Sequence, residues 1–124
     1  MAKKILVVDD EQDILKVVTY RLKRAGYEVL SATTGKEAYD ILKETSPGLI
    51  VLDYRLPDTD GIEISKKVRA DERLKDVPII LLSASSASDI SALVKNSEVN
   101  EYIKKPFDPE EFLEKVRKYM AINP

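Results

Sequence analysis

The chain has 124 residues, 44% of them apolar and 34% charged, which suits one folded domain with a core large enough to need no covalent staples. Its 20 basic and 22 acidic residues leave a net charge of −2, without the basic excess of a nucleic-acid-binding module. Cysteine and histidine are both absent, which excludes disulfides, thiolate chemistry and imidazole, and leaves carboxylates, hydroxyls, lysines and the backbone to do any chemistry.

After Met1-Ala2-Lys3-Lys4, Ile5–Val8 is a continuous apolar run, the pattern of a strand buried on both faces. It is too short for a signal peptide, and no stretch approaches the roughly 18 apolar residues of a membrane span. A soluble, cytoplasmic protein without membrane contact is therefore expected. Asp9, Asp10, Glu11 and Asp13 follow at once, a clustering of like charge that is unfavourable unless something balances it. From Glu11 to Ala25, Ile14, Leu15, Val18 and Leu22 recur at helical spacing, and Gly26 stands where a helix end wants a left-handed residue. Tyr27–Leu30 reads as the second strand. Thr34 can cap a helix carrying Ala38, Ile41 and Leu42 that ends near Ser46-Pro47-Gly48. Leu49–Leu52 is the third apolar run.

Asp60 with Glu63 predicts the start of a helix reaching about Arg69. Ile79–Leu82, just after Pro78, is the fourth run. Ser86 and Asp89 repeat the capping spacing ahead of Ile90, Leu93 and Val94, a fourth helix. Tyr102-Ile103 is a short fifth strand. Asp108-Pro109-Glu110-Glu111 opens a last helix with the apolar stripe Phe112, Leu113, Val116 and Met120. Ala121–Pro124 reads as a tail. Five strands alternating with five helices predict an α/β fold, a parallel sheet covered on both faces. A closed barrel would need eight such units and roughly 250 residues, so an open doubly wound (βα)5 sheet is expected.

In a parallel sheet the carboxyl ends of the strands emerge at one rim, where open α/β sheets carry their ligand crevice. The first strand ends in Asp9-Asp10, the third in Asp53, the fourth in Ser83 and the fifth in Lys104-Lys105. Each has a plain structural reading. Asp10 can cap the first helix with Asp13 at N3, Ser83 can be a loop hydroxyl, and Lys105 a solvated charge. Asp53 is harder to explain that way, because it follows four buried apolar residues and nothing local pairs it. Together they form a constellation. Clustered carboxylates favour a hard divalent cation such as Mg²⁺, with Mn²⁺ also suited to oxygen ligands. A carboxylate can itself act as the nucleophile that forms an aspartyl-phosphate. Phosphoryl transfer needs mainly positioning and charge neutralisation, which a cation, Lys105 and the Ser83 hydroxyl can supply.

Four stretches, in order, resemble the receiver domain of two-component response regulators, single-domain and chemotaxis-regulator-like. They are Ile5-Leu6-Val7-Val8-Asp9-Asp10-Glu11, Leu52-Asp53-Tyr54-Arg55-Leu56-Pro57-Asp58-Thr59-Asp60-Gly61, Leu82-Ser83-Ala84 and Tyr102-Ile103-Lys104-Lys105-Pro106-Phe107. The likeness spans residues 1–124 as one receiver domain. It implies a flavodoxin-like sheet with strand order 2-1-3-4-5. It also implies a phosphoprotein of phosphorelay signalling, rather than an enzyme with an external substrate, that catalyses its own phosphotransfer and slow autodephosphorylation. By motif, Asp53 resembles the phospho-acceptor, and Asp10, Asp9, Asp53 and the backbone carbonyl of Arg55 the metal-binding set. Ser83, the Ala84 backbone and Lys105 resemble the phosphoryl-binding groups, and Tyr102 the switch aromatic. Lys104, on the alternate side of its strand, reads as surface. The lysine–proline peptide is commonly cis in the family. Arg55 and Ser85 flank the path of attacking water and would tune dephosphorylation. There are departures: Glu98-Val99 stand where the family often has a small Gly-Ala pair, Asp58 replaces a frequent glycine, and the fourth helix is serine-rich.

The resemblance implies a sensor histidine kinase or phosphotransfer protein as donor, since the chain has no histidine, or a small phosphodonor. It implies a protein effector that reads the face made by the fourth helix, fifth strand and fifth helix, and it allows a phosphorylation-dependent dimer. No direct nucleic-acid contact within this chain is expected. Two alternatives are an aspartate-nucleophile, Mg²⁺-dependent phosphatase and a receiver that only binds partners. The phosphatases carry a second aspartate two residues after the nucleophile, where this chain has Arg55. The intact acidic pair, acceptor, hydroxyl and lysine weigh against an interaction-only role.

Overall fold

The computed structural model describes residues 3–84 and 99–122. Five parallel strands, β1 (Lys4–Val8), β2 (Glu28–Ala32), β3 (Leu49–Asp53), β4 (Ile79–Ser83) and β5 (Glu101–Lys104), form one sheet in the order β2-β1-β3-β4-β5. This is the doubly wound order expected. Helices α1 (Gln12–Arg24), α2 (Gly35–Glu44), α3 (Gly61–Ala70) and α4 (Pro109–Ile122) cover it. The helix expected around Ser86–Val94 lies outside the described residues, as do Ser85 and Glu98, so α4 is the last helix of the sequence reading.

Alternation along the strands sends side chains to opposite faces. Ile5, Val7, Leu49, Val51, Ile80, Leu82 and Ile103 meet α1 and α4 through Leu15, Val18, Leu22, Phe112, Leu113, Val116 and Met120. Leu6, Val8, Ile50, Leu52, Ile79 and Leu81 face the other way, onto Ala38 and Leu42 of α2 and Ile64 and Val68 of α3. Each fully buried Leu or Ile contributes on the order of 1.5–3 kcal/mol, so the two layers hold the sheet rim in place from both sides.

The helix ends follow local chemistry. α1 closes with Gly26 at φ 98°, its N–H on the Lys23 carbonyl and the Tyr27 N–H on the Leu22 carbonyl, the two bonds of a Schellman motif. That closure corrects the start of the second strand. Tyr27 spends its N–H on the helix, so pairing begins at Glu28 and runs on through Ala32 against Val8. Thr34 caps α2 by accepting from the Glu37 N–H, and Asp60 caps α3 by accepting from the Glu63 N–H. The last helix continues through Ala121 and Ile122, two residues into the stretch read as a tail; alanine is the strongest helix former.

Candidate functional site

Register decides what meets at the rim. Val8 pairs with Leu52, so Asp9 and Asp53 follow on adjacent strands at the same level. Ser83 pairs with Lys104, so Lys105 comes one residue above Ser83. Counting by twos from Val7, Val51 and Ile103 puts Asp9, Asp53 and Lys105 on one side of the sheet. The side-chain distances agree. The Lys105 ammonium donates to Asp9 Oδ2 at 3.0 Å and lies 3.3 Å from Asp53 Oδ1. It also donates to Glu11 Oε1 at 2.9 Å. Asp9 is 0% exposed, Asp53 6% and Lys105 8%, so this is a desolvated cluster and not a surface ion pair. The Lys105–Pro106 peptide is cis.

Asp10 is exposed and does not cap the first helix: Glu11 is the N-cap residue, without a side-chain cap bond. Its carboxylate instead joins those of Asp9 and Asp53, with one oxygen from each lying within 4.8 Å of the others. Asp10 and Asp53, with Glu11, Tyr54, Arg55, Ser83, Ala84 and Lys105, line a cleft of about 250 Å³. Asp9 is fully buried and is not among the lining residues. Arg55 lies in the cleft wall, exposed, with its guanidinium 5.5 Å from the Tyr54 ring centre. Tyr102 is half-buried against the core layer on the α2–α3 side and is not among the cleft residues. Lys104 is exposed, as its strand parity requires.

The electrostatics follow from burial. Loss of water pushes the Asp53 carboxyl up, the neighbouring Asp9 charge pushes it further, and Lys105 pulls it back, leaving it at about 7. Burial works to lower the Lys105 ammonium, but its bonds to Glu11 and Asp9 and the charge of Asp53 outweigh it, so the net shift is upward. Lys105 therefore stays charged while facing three carboxylates. Four acidic groups around one ammonium leave room for further positive charge, and the donors are all oxygens. That set fits a hard divalent cation of the Mg²⁺ or Mn²⁺ type.

Glu11 has no assigned role in the sequence reading. The signal was local: Asp9 Oδ1 accepts the Glu11 N–H at 2.9 Å, an Asx turn two residues long that swings Glu11 over the site.

Against known proteins, residues 5–117 match the family model described as the response regulator receiver domain. The chain belongs to that family. Over 117 residues it is 37% identical to the phosphate regulon transcriptional regulatory protein PhoB of Pseudomonas aeruginosa, covering 94% of this chain and 51% of the relative. It is 40% identical over 117 residues to the alkaline phosphatase synthesis transcriptional regulatory protein PhoP of Bacillus subtilis, covering 94% of this chain and 48% of that one. The chain thus spans about half the length of these curated relatives. Among solved structures, the chemotaxis response regulator CheY4 of Vibrio cholerae superposes with a TM-score of 0.90 at 30% identity, covering 96% of this chain and 99% of that one. The receiver domain of a sensor histidine kinase from Pseudomonas aeruginosa gives 0.88 at 27% identity, covering 98% and 99%, and holds a magnesium ion in its active-site cleft. Among the described residues of this receiver, no helix is long and apolar enough to cross a membrane.

Proposed function

We propose that residues 1–124 act as one phospho-accepting signalling unit in the cytoplasm, in which Asp53 takes a phosphoryl group from a sensor histidine kinase or a phosphotransfer protein. The observation that carries this reading is the meeting of Asp9, Asp10 and Asp53 within 4.8 Å beside a buried lysine. Asp9, Asp10, Asp53 and the Arg55 carbonyl would hold Mg²⁺, with Mn²⁺ as a substitute. The magnesium ion in the cleft of the related kinase receiver supports that choice. When bound, the cation neutralises the carboxylates and the oxygens of the group in transfer.

The chain's own part is simple. An ionised Asp53 oxygen attacks phosphorus, the P–N bond to the donor histidine breaks, and the electron pair leaves on the imidazole nitrogen. The product is an acyl phosphate on Asp53. No general base is required once Asp53 is ionised, and a cation held by Asp9, Asp10 and the Arg55 carbonyl would favour that ionised form over the protonated one of the metal-free site. Lys105 moves its ammonium from Asp9 and Glu11 toward the new phosphoryl oxygens, while the Ser83 hydroxyl and the Ala84 N–H donate to them. The added charge then biases two pre-existing states of the domain, with Tyr102 following Ser83. The surface of β5, α4 and the segment before β5 carries the change to a protein effector or to a second copy. Arg55, two residues after the acceptor, is no acid or base for hydrolysis. The acyl phosphate therefore persists, and Arg55 and Ser85 tune its loss. That favours a switch over a phosphatase.

Incubation with acetyl phosphate and Mg²⁺ followed by intact-mass measurement tests the proposal. One phosphoryl group should add to the wild type, none in the presence of EDTA, and none to Asp53→Ala. Labelling of Asp53→Ala at the wild-type rate refutes the acceptor, and rapid multiple-turnover hydrolysis of sugar phosphates refutes the switch.

A further inference from the structure

The backbone of Arg55 belongs to a small hairpin that leaves the rim after β3. The Tyr54 N–H donates to the Leu82 carbonyl at 2.8 Å, and the Gly61 N–H donates back to the Tyr54 carbonyl at 2.8 Å, which closes the base. Arg55 bridges Asp60, and the Leu56 N–H donates to the Thr59 carbonyl at 3.1 Å. The tip of the hairpin, Pro57-Asp58, would be free if nothing held it. Asp58 holds it: one oxygen accepts the Gly35 N–H at 2.8 Å and the other the Lys36 N–H at 3.0 Å. These are first-turn donors of α2, which that helix cannot satisfy internally. The Thr59 methyl lies over Gly35, where a Cβ would collide with it. The two bonds pull the Asp58 carboxyl below its ordinary value, although the group is exposed.

The other end of the same junction touches the other half of the acidic site. The Asp9 N–H donates to the carbonyl of Ala32, the last residue of β2, at 3.0 Å. Only Thr33 and Thr34 separate Ala32 from the Gly35 and Lys36 donors. Thr33 is itself fixed, giving its N–H and hydroxyl to Glu37 Oε1 at 2.8 and 2.6 Å. A short, fully bonded segment thus runs from the Asp9 backbone to the tip of the Arg55 hairpin.

We propose that residues 32–36 are a strut across the metal site, and that Asp58 is the positioning residue that couples the Arg55 carbonyl to it. A main-chain ligand cannot be tuned by its own side chain; only what grips the backbone can place it. The proposal rests on the receiver reading, in which that carbonyl binds the cation. Asparagine at 58 keeps the size but offers one acceptor oxygen to two N–H donors and turns an amide NH₂ on the other. Gly26→Ala is the control, because it strains the backbone at the end of α1 and touches neither the strut nor the hairpin.

Mg²⁺ affinity of the full chain is measured by titration calorimetry at a temperature where circular dichroism shows each variant folded. Asp58→Asn should bind about tenfold more weakly, the scale set by losing an outer partner of a metal ligand. Gly35→Ala, which pushes the Thr59 contact from the opposite side, should weaken binding in the same direction. Gly26→Ala should melt lower yet bind as the wild type does. Unchanged affinity in both Asp58→Asn and Gly35→Ala overturns the strut, as does an equal loss in Gly26→Ala. A wild type that binds no Mg²⁺ sinks the receiver reading first and the strut with it.

Discussion

Asparagine at position 53 should make the metal-free protein more stable, by an amount that grows with pH. The acceptor carboxyl is moved by burial and by Asp9 from its ordinary 3.8 to about 7. The folded state therefore favours the protonated form. Below about pH 4 the group is neutral in folded and unfolded chains alike and shifts nothing. As pH rises above that value, the unfolded chain ionises freely and the folded one does not, so stability falls. The loss levels off once the pH passes about 7, where the folded state ionises too. Roughly three pH units at 1.36 kcal/mol each set a ceiling of about 4 kcal/mol. Asparagine removes that penalty but also forfeits the 3.3 Å contact with Lys105, which retains Asp9 and Glu11. A net gain of about 1–3 kcal/mol near pH 8 follows, or roughly 3–10 °C in melting temperature for a domain of this size. Urea and thermal melts of both proteins in EDTA, at steps from about pH 5 to about pH 8, measure it. The gap should widen with pH, and added Mg²⁺ should narrow it by stabilising the wild type. A gap that is flat across pH, or a wild type that is the more stable at pH 8, refutes the reasoning about Asp53.

Three other substitutions separate the parts of the site. Lys105→Met keeps the bulk but leaves the fully buried Asp9 without its cation, so it should cost about 3–5 kcal/mol in EDTA and regain part of that with Mg²⁺ in the same urea melts. Gly61→Ala would set a Cβ 2.8 Å from the Asp53 carbonyl oxygen and 2.6 Å from Leu81 Cδ1; because the first is backbone that cannot yield, a loss of about 1–3 kcal/mol is expected, with slower acetyl-phosphate labelling. Gly26→Ala meets nothing within 4 Å but keeps φ at +98°, so it should cost about 1–2 kcal/mol from backbone strain alone and leave the labelling rate unchanged.

Most of the fold was legible because it rests on short-range pattern. Apolar runs of four marked each central strand, and the caps at Thr34 and Asp60 marked helix starts to the residue. The Schellman closure at Gly26 was legible as a stop, but its cost to the next strand was not. Tyr27 looks like a strand residue by composition, and only the hydrogen-bond count shows its N–H already spent. The rim residues were legible for a related reason. In a parallel sheet, strand ends share one edge whatever the angles between the helices, so Asp9, Asp53, Ser83 and Lys105 could be placed together from order alone.

What pattern could not supply was the choice of partner within the site. Lys105 has three carboxylates in reach, and the sequence offers no means of ranking Glu11 with Asp9 and Asp53; that depends on how the Asp9 turn aims one exposed side chain. Asp58 is a sharper case. In the sequence it is a departure from a common glycine in an acidic loop, and a solvated turn residue is the natural reading. In the fold its two oxygens match two helix N–H groups that lie 22 and 23 residues earlier in the chain. The match exists because β2 and β3 flank β1, which brings the turn after one strand beside the turn after the other. The topology was predictable and the contact was not, because a sheet order fixes which loops are neighbours to within several ångströms, whereas a hydrogen bond is decided within a few tenths.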